Sequence, residues 1–161
     1  MKNIIIIFIA MVSATTITIA QPSEKAEAVV NIDPSSVVKD FFNAFREKNR
    51  EKVASLLHPE VVWIQPGNNQ LSGVKKSREE VMQMGKQMGE RSAKTITLAE
   101  IKFLSATGNS VACLLRWKAA QPTGVVLDVE NIDVYTIENG KIVNVKVYSA
   151  DLEQEDKFWG R

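Results

Sequence analysis

Apolar positions follow two different periods along the chain. Between residues 33 and 89 they recur at the three- and four-residue spacing of amphipathic helices, interrupted by one short apolar run at residues 61–65. From residue 94 onward they alternate with polar positions, as in strands that bury one face. The pattern therefore predicts the order helix, helix, strand, helix, followed by four strands.

Start and stop signals delimit the three helices. Asp33 stands before a proline, and this pair combines an N-cap residue with a favoured first helical residue. The second helix is short and covers residues 50–57. Ser77 and Glu80 form a Ser-x-x-Glu capping box for the third helix, and we expect Gly89 to end it.

Short turns separate the four later strands. The alternation places these strands at residues 94–104, 111–119, 127–137 and 143–150. Asn139-Gly140, between the last two, is the strongest short hairpin signal in the chain. Strands joined by tight turns pair antiparallel, and the helices must bury their apolar faces on one side of such a sheet. We therefore predict an α+β fold.

The first twenty residues have the composition of a secretory signal peptide. Lys2 precedes an unbroken apolar run at residues 4–12, and small residues lead to a cleavage site before Gln21. The run is too short for a helix that spans a bilayer, which needs about 20 residues. We predict a signal peptide at residues 1–20, a linker at 21–32 and a single domain at 33–160. The mature protein is then secreted or periplasmic, and an uncleaved N-terminal anchor is the alternative.

Charge and residue counts exclude several classes of partner and site. Loss of Lys2 leaves 19 basic and 19 acidic residues in the mature chain, whereas nucleic acids and anionic membranes favour a basic surplus. We therefore expect neither as a partner. Cys113 is the single cysteine, so no intramolecular disulfide forms, and His58 is the single histidine, so a zinc site is not expected. We expect no metal and no cofactor.

One carboxylate interrupts the apolar face of the strand at residues 127–137. Asp133 alternates with Val129 and Tyr135 and therefore points toward the apolar side, where an unpaired charge is costly. One interpretation makes Asp133 a general acid, a general base or a hydrogen-bond donor with a raised pKa. Another has it bond Asn131, Gln65 or a helix backbone group. A register slip of one residue would place it on the outer face.

Tryptophans mark several candidate pocket positions. Trp63 and Gln65 occupy the last alternating positions of the first strand, before a Pro-Gly turn. On the inner face they would form the wall and the polar end of a pocket, joined by Trp117 from a later strand. Ordinary core packing of the tryptophans is the alternative, since aromatic side chains dominate cores. Trp159, in the tail, is expected to close the domain or to contact a second copy.

Several segments of the chain resemble one superfamily. They are FFNAFREKNREKVASLLHPEVVWIQPG, LSGVKKSREEV, IDVYTIENGKIVNVKVYSADLE and the tail EDKFWG. Together with the element order they are similar to the NTF2-like superfamily, in particular to its SnoaL-like and ketosteroid-isomerase-like branch. The resemblance implies three N-terminal helices packed on a strongly curved, mainly antiparallel sheet, a cone-shaped pocket between them, and a homodimer.

The resemblance to the steroid isomerases of this branch also implies what the chain lacks. Their tyrosine on the first helix falls on Phe41, which donates no hydrogen bond, and their aspartate base falls on Gln65, which takes no proton. Their second aspartate falls on Asp133, which matches. Each missing group is worth about 100-fold in rate or more, so we do not expect isomerase activity by the usual mechanism.

These features lead to one preferred function and two alternatives. We predict an exported protein that binds a small apolar or aromatic molecule. The residues expected to line its pocket are Phe41, Trp63, Gln65, Trp117, Asn131, Asp133 and Tyr135. One alternative is a cofactor-free hydrolase, cyclase or dehydratase that uses Asp133 as acid or base. The other is a protein-interaction module whose cone is filled by its own side chains.

Overall fold

The computed structural model describes residues 32–160. The predicted signal peptide, and the predicted linker except for its last residue, lie outside this range. The elements of the described range are, in chain order, α1 (Pro34–Arg46), α2 (Arg50–Leu56), β1 (Leu57–Gln65), β2 (Gly73–Lys75), α3 (Arg78–Arg91), β3 (Thr97–Thr107), β4 (Ser110–Ala120), β5 (Val126–Glu138), β6 (Lys141–Ser149) and α4 (Leu152–Trp159). Among these residues, no helix is both long enough and apolar enough to cross a membrane.

Helix α1 begins where the sequence predicts. The Asp33 side chain accepts a hydrogen bond from the backbone N–H of Ser35 at 3.0 Å, and a proline occupies the first helical turn. The buried face of the helix consists of Val37, Val38, Phe41, Phe42 and Ala44. The helix packs across strands β3, β4, β5 and β6, so its apolar face covers the inner side of the sheet.

Helix α3 ends later than predicted. It starts at the Ser77 cap, whose hydroxyl accepts a hydrogen bond from a backbone N–H of the first turn at 3.2 Å, but it continues through Gly89 to Arg91. Gly89 does not adopt the left-handed conformation that ends many helices. Near this helix end, positive φ occurs at Ala93 and Lys94, which lie beyond the last helical residue. The prediction that Gly89 ends this helix was therefore wrong.

Strand β1 begins at Leu57, directly after α2 and earlier than the predicted residue 61. The strand therefore contains Pro59, which cannot donate a ladder hydrogen bond. Pairing with β6 joins Leu57 to Ile142 and resumes only at Val62, so the proline lies in an irregular part of the ladder. An irregularity of this kind is where a strand tolerates proline.

The six strands form one sheet in the order β2-β1-β6-β5-β4-β3. Strands β1 and β6 are parallel, with Trp63 opposite Val145, and every other neighbouring pair is antiparallel. The predicted α+β class with a mainly antiparallel sheet is therefore confirmed. Strand β2 and the parallel pairing were not predicted, because the chain between β1 and β6 carries no local signal for either.

Helix α4 is a fourth helix that the prediction lacked. The side chain of Asp151 caps it by accepting from the backbone N–H of Gln154 at 2.9 Å. The carboxylate of Asp156 accepts from the backbone N–H of Asn68 at 2.7 Å and from the side chain of Asn69 at 2.8 Å. These bonds fasten α4 to the loop that follows β1. The buried residues of the helix are Glu155, Asp156, Phe158 and Trp159.

Strand β5 shows the alternation that the sequence predicts. Its inward side chains are buried and comprise Leu127, Val129, Asn131, Asp133, Tyr135 and Ile137. The intervening residues are exposed or half-buried. The register on which the Asp133 hypothesis depends is therefore the one observed.

Candidate functional site

A cavity of about 710 Å³ lies between the helices and the inner face of the sheet. Helices α1, α2 and α3 supply one side of its wall, the sheet supplies the other, and α4 contributes Glu155 and Trp159. Apolar members of the wall include Phe42, Phe45, Val53, Val81, Met84, Met88, Ile96, Leu98, Leu127, Val129 and Val147. A cavity of this size does not fit the interpretation in which the protein's own side chains fill the cone.

Six of the seven residues predicted for the pocket line this cavity, namely Phe41, Trp63, Gln65, Trp117, Asp133 and Tyr135. The seventh, Asn131, is buried on β5 opposite Ser149 and is not part of the cavity wall. Trp159, expected to close the domain or to contact a second copy, is buried and lines the cavity. Residues from five different elements thus meet around one space.

Asp133 and Tyr135 form a buried polar pair in the wall, 3% and 0% exposed. The Tyr135 hydroxyl donates to Oδ2 of Asp133 at 2.9 Å, whereas Oδ1 has no hydrogen-bond partner within residues 32–160. Burial raises the pKa of Asp133 to about 7; the bond from Tyr135 opposes this rise, and the charge of Glu155 adds to it. Asp133 therefore changes its protonation state near neutral pH.

The Tyr135 ring packs within a group of aromatic side chains. Its centroid lies 5.7 Å from that of Phe42, 6.2 Å from that of Phe41 and 6.4 Å from that of Trp63. Burial raises the pKa of the Tyr135 hydroxyl well above its usual value, and the neighbouring Asp133 reinforces the rise. Tyr135 therefore remains protonated and acts as a hydrogen-bond donor.

Trp63 and Gln65 project from the same face of β1, two residues apart. The indole N–H of Trp63 donates to Oε1 of Gln65 at 3.1 Å, and both side chains are buried. The bond occupies the amide oxygen of Gln65 and leaves its NH₂ group to donate. At the strand position where the resembling isomerases have a base, this protein therefore presents a neutral donor.

Glu155 is a second carboxyl group of the cavity, and the sequence pattern did not indicate it. The residue is 2% exposed, and its Oε1 atom has no hydrogen-bond partner in the described part of the chain. Burial raises the pKa of Glu155, while hydrogen bonding with Ser149 and with Asn131 lowers it. Asn131 thus acts on the cavity through Glu155 instead of lining it.

A signal for α4 is present in the sequence. Asp151 is a suitable N-cap residue, and the positions that follow it at helical spacing are Leu152, Glu155, Phe158 and Trp159. The segment is only eight residues long and contains four charged side chains, which weakens the apolar pattern. Similarity of the tail to a family ending pointed to the segment but not to its conformation.

The single cysteine and the single histidine of the chain do not line the cavity. Cys113 is fully buried, and burial raises the pKa of its thiol to about 12, with the charge of Asp133 adding to the effect. His58 is half-buried on β1, where its Nδ1 accepts from the backbone N–H of Glu60 at 3.1 Å. Within residues 32–160, no group of three or more His, Cys, Asp or Glu side chains is placed to hold a metal ion. Asp133 and Glu155 are therefore the two buried carboxyl groups in the wall of the cavity.

Known proteins share this architecture. A family model described as the SnoaL-like domain matches residues 38–145. A protein of unknown function with a cystatin-like fold from Xanthomonas campestris is 35% identical, and the match covers 81% of this chain and 100% of that one with a TM-score of 0.76.

More distant solved structures match over a similar length. An NTF2-like protein from Burkholderia xenovorans is 17% identical, covering 80% of this chain and 96% of that one, with a TM-score of 0.68. TerC, co-crystallised with polyporic acid, is 16% identical, and the match covers 80% of this chain and 100% of TerC with a TM-score of 0.69. At such low identity these two likenesses show a shared fold and nothing more.

Proposed function

The chain belongs to the SnoaL-like domain family, and from this premise we propose that it binds a small apolar or aromatic molecule in the cavity. The observation that carries the proposal is the combination of a largely apolar wall with a few buried polar groups. Such a combination is typical of ligand sites, whose volumes run from roughly 300 to 1,000 Å³. The cavity of about 710 Å³ lies within that range.

Three polar side chains orient the ligand in this proposal. Asp133 offers its Oδ1 atom, which no residue in the described range 32–160 engages, and Gln65 offers its amide NH₂ group. Tyr135 holds the Asp133 carboxyl in place. The aromatic rings of Phe41 and Trp63 lie beside them and suit a flat ligand. TerC, which shares the fold, was crystallised with a small molecule, polyporic acid.

Steroid isomerisation by the usual mechanism is not part of the proposal. The mechanism needs a base at the end of β1, where Gln65 is neutral and its oxygen already accepts from Trp63. It also needs a donor on the first helix, where Phe41 has none.

Native mass spectrometry of the purified protein tests the proposal, followed by titration with a fluorescent apolar dye. A Leu127→Trp variant fills the cavity from β5 and should lose dye binding. A Glu130→Trp variant, which adds the same ring on the exposed face of the same strand, is the control and should keep it. Absence of any co-purified molecule together with equal dye binding by both variants would contradict the proposal.

A second candidate function is catalysis without a cofactor. The observation that favours it is Asp133, a carboxyl with a pKa of about 7 that lines a cavity beside Glu155. A group that titrates near the working pH is suited to general acid or base catalysis in a hydrolase, cyclase or dehydratase. Once a ligand is found, Asp133→Asn should abolish its turnover but retain its binding. Unchanged turnover would exclude Asp133 as the proton-transfer group.

Export remains part of the proposed function. Its support is the sequence of the first twenty residues, with a basic start, an apolar run and small residues before Gln21. Amino-terminal sequencing of the protein from the periplasm or the medium tests it. A mature chain that begins at Gln21 is expected, and a chain that retains Met1 would contradict cleavage.

A further inference from the structure

The two ends of the cavity differ in charge. The basic residues of its wall are all exposed: Arg46, Lys48, Arg50, Lys86 and Lys94. The acidic residues of its wall, Asp133 and Glu155, are both buried. Exposed side chains mark the side of the cavity that meets solvent, and buried ones mark its inner end. The five cations therefore form a basic mouth, and the two carboxyls form a carboxyl end.

Four of the five cations at the basic mouth have no ionic partner among the described residues. Within residues 32–160, no carboxylate oxygen lies within 4.0 Å of them, and the fifth, Lys86, forms one exposed pair with Glu90 at 3.7 Å. The carboxyl-terminal ends of α1 and α3 also lie at the mouth. Each helix end brings about half a negative charge, which the unpaired cations outweigh.

Two of these cations occupy strained backbone positions. Lys48 and Lys94 have φ angles of 58° and 63°, in the left-handed region that favours glycine. Both follow the end of a helix, where glycine is the usual residue. Glycine adopts this conformation without strain, so replacing either lysine by glycine removes the side chain at no cost to the backbone.

At the carboxyl end, two buried acceptor atoms lack a donor. Oδ1 of Asp133 and Oε1 of Glu155 have no hydrogen-bond partner in the described part of the chain. Buried polar atoms left in this state are costly, so a ligand that supplies a donor gains affinity. A ligand hydroxyl supplies the donor without a charge. A cationic amine would first have to pass the five cations of the basic mouth.

We propose that the ligand is an amphipathic hydroxy acid, with its carboxylate at the basic mouth and its hydroxyl group at Asp133 and Glu155. An apolar or aromatic body between the two groups fits the wall described above. This inference rests on the proposed binding function and specifies its ligand class and orientation. It also assigns Glu155 as a ligand-binding residue.

Isothermal titration calorimetry with four probes of one skeleton tests the ligand class. The probes are naphthalene, 2-naphthoate, 6-hydroxy-2-naphthoate and the cation of 2-naphthylmethylamine. We expect 2-naphthoate to bind up to roughly tenfold more tightly than naphthalene, and 6-hydroxy-2-naphthoate up to roughly tenfold more tightly than 2-naphthoate. A factor of this size is what one favourable polar contact contributes. The amine cation should bind no better than naphthalene. Added salt should weaken binding of the carboxylates more than that of naphthalene, because it screens the basic mouth.

Glycine variants at the basic mouth separate the effect of a lost positive charge on binding from an effect of lost stability. Lys48→Gly and Lys94→Gly each remove a cation and relieve the left-handed strain. Both should bind 2-naphthoate several-fold more weakly, keep their affinity for naphthalene, and melt at the same temperature as the natural protein or higher. Lys52→Ala, at an exposed position on α2 outside the wall, is the control. Wild-type affinity of both glycine variants for 2-naphthoate would overturn the assignment of the mouth.

Substitutions at Glu155 test the carboxyl end. Glu155→Met removes the acceptor and should erase the advantage of 6-hydroxy-2-naphthoate over 2-naphthoate. Glu155→Gln keeps an acceptor oxygen and should retain much of this advantage. Glu153→Gln, at an exposed position on the same helix, should behave as the natural protein. An advantage that survives in Glu155→Met would overturn the assignment of Glu155.

The probe series also separates the two proposals. Failure of all four probes, naphthalene included, would overturn the binding function and this inference together. Binding of naphthalene with no gain from the carboxylate or the hydroxyl, or with a preference for the amine cation, would overturn only the hydroxy-acid inference.

Discussion

Tyr135 donates a hydrogen bond to Oδ2 of Asp133 across 2.9 Å, two residues apart on the inward face of β5. The bond fixes one carboxyl oxygen, and the other has no hydrogen-bond partner among residues 32–160. A phenol that stays protonated thus supports a carboxyl that titrates near pH 7. The stability of the folded protein depends on this arrangement, and so does the binding proposed above.

The stability of the protein should fall as the pH rises from 3.8 to about 7 because of Asp133. In this window the folded protein keeps the Asp133 proton that the unfolded chain has lost. The folded state thus binds more protons, and the free energy of unfolding decreases with pH. The raised pKa of Glu155 acts in the same direction. Urea unfolding of the natural protein and of Asp133→Asn at about pH 5 and about pH 8 measures the effect.

The Asp133→Asn comparison isolates one group. Exposed carboxyls such as Asp128, whose pKa is lowered by Arg116, contribute the opposite dependence but are common to both proteins. The variant should therefore lose less stability than the natural protein between the two pH values. Equal losses in the two proteins would show that Asp133 has an ordinary pKa.

Trp63→Phe should lower the free energy of unfolding by about 1–3 kcal/mol, because it leaves the buried Oε1 of Gln65 without its donor. Gln65→Leu in the same chain removes the stranded amide and should recover part of the loss. A double-mutant cycle by urea unfolding measures the coupling between the two residues. Strictly additive effects would contradict the buried bond.

Gly67→Ala should destabilise the protein more than Gly73→Ala does. Both glycines have positive φ, 93° and 100°, so both substitutions introduce backbone strain. A Cβ at Gly67 would lie 2.5 Å from Oδ1 of Asp156, whereas one at Gly73 meets nothing within 4 Å. The difference between the two melting temperatures therefore measures the clash with the α4 anchor. Equal melting temperatures would mean that α4 moves freely away from the loop.

The protein is expected to form a homodimer through the outer face of its sheet. A row of apolar side chains crosses three strands there, with Ile132 in register with both Leu114 and Tyr148. Ile132 and Tyr148 are 41% and 49% exposed, which is a high exposure for adjacent large apolar groups. Ile132→Lys should convert a dimer to a monomer in analytical ultracentrifugation, and Val126→Lys, at the end of β5, should not. A natural protein that sediments as a monomer would refute the expectation.

Local sequence signals account for the helix starts and the inward side-chain directions that the sequence predicted. Asp33 and Ser77 cap helices in the structure as proposed, because capping depends on a few adjacent residues. The alternation on β5 placed Asp133 and Tyr135 inward, because the side-chain period of a strand is two. Trp63 and Gln65 follow the same rule on β1.

Contacts between distant segments account for what was not predicted. Asn131 lies on the inward face of β5, but Glu155 of α4 bonds it and takes its place in the cavity wall. No local sequence pattern reveals such a contact between distant segments. The basic mouth escaped notice because its cations are scattered from Arg46 to Lys94 and meet only when α1, α2 and α3 assemble. Helical conformation through Gly89 likewise depends on the packing of α3, which overrides a residue's own tendency.

The parallel pairing of β1 with β6 has a consequence for how the chain folds. Trp63 meets Val145 only after nearly all of the intervening chain exists, so this contact closes a very long loop. Pairing of such distant segments slows folding in general. A nascent chain of this protein can form its helices and its later hairpins early, but it should acquire the completed sheet only after β6 has emerged from the ribosome. A delay of this kind would keep the polypeptide unfolded for longer, which the proposed export through a secretion channel would require.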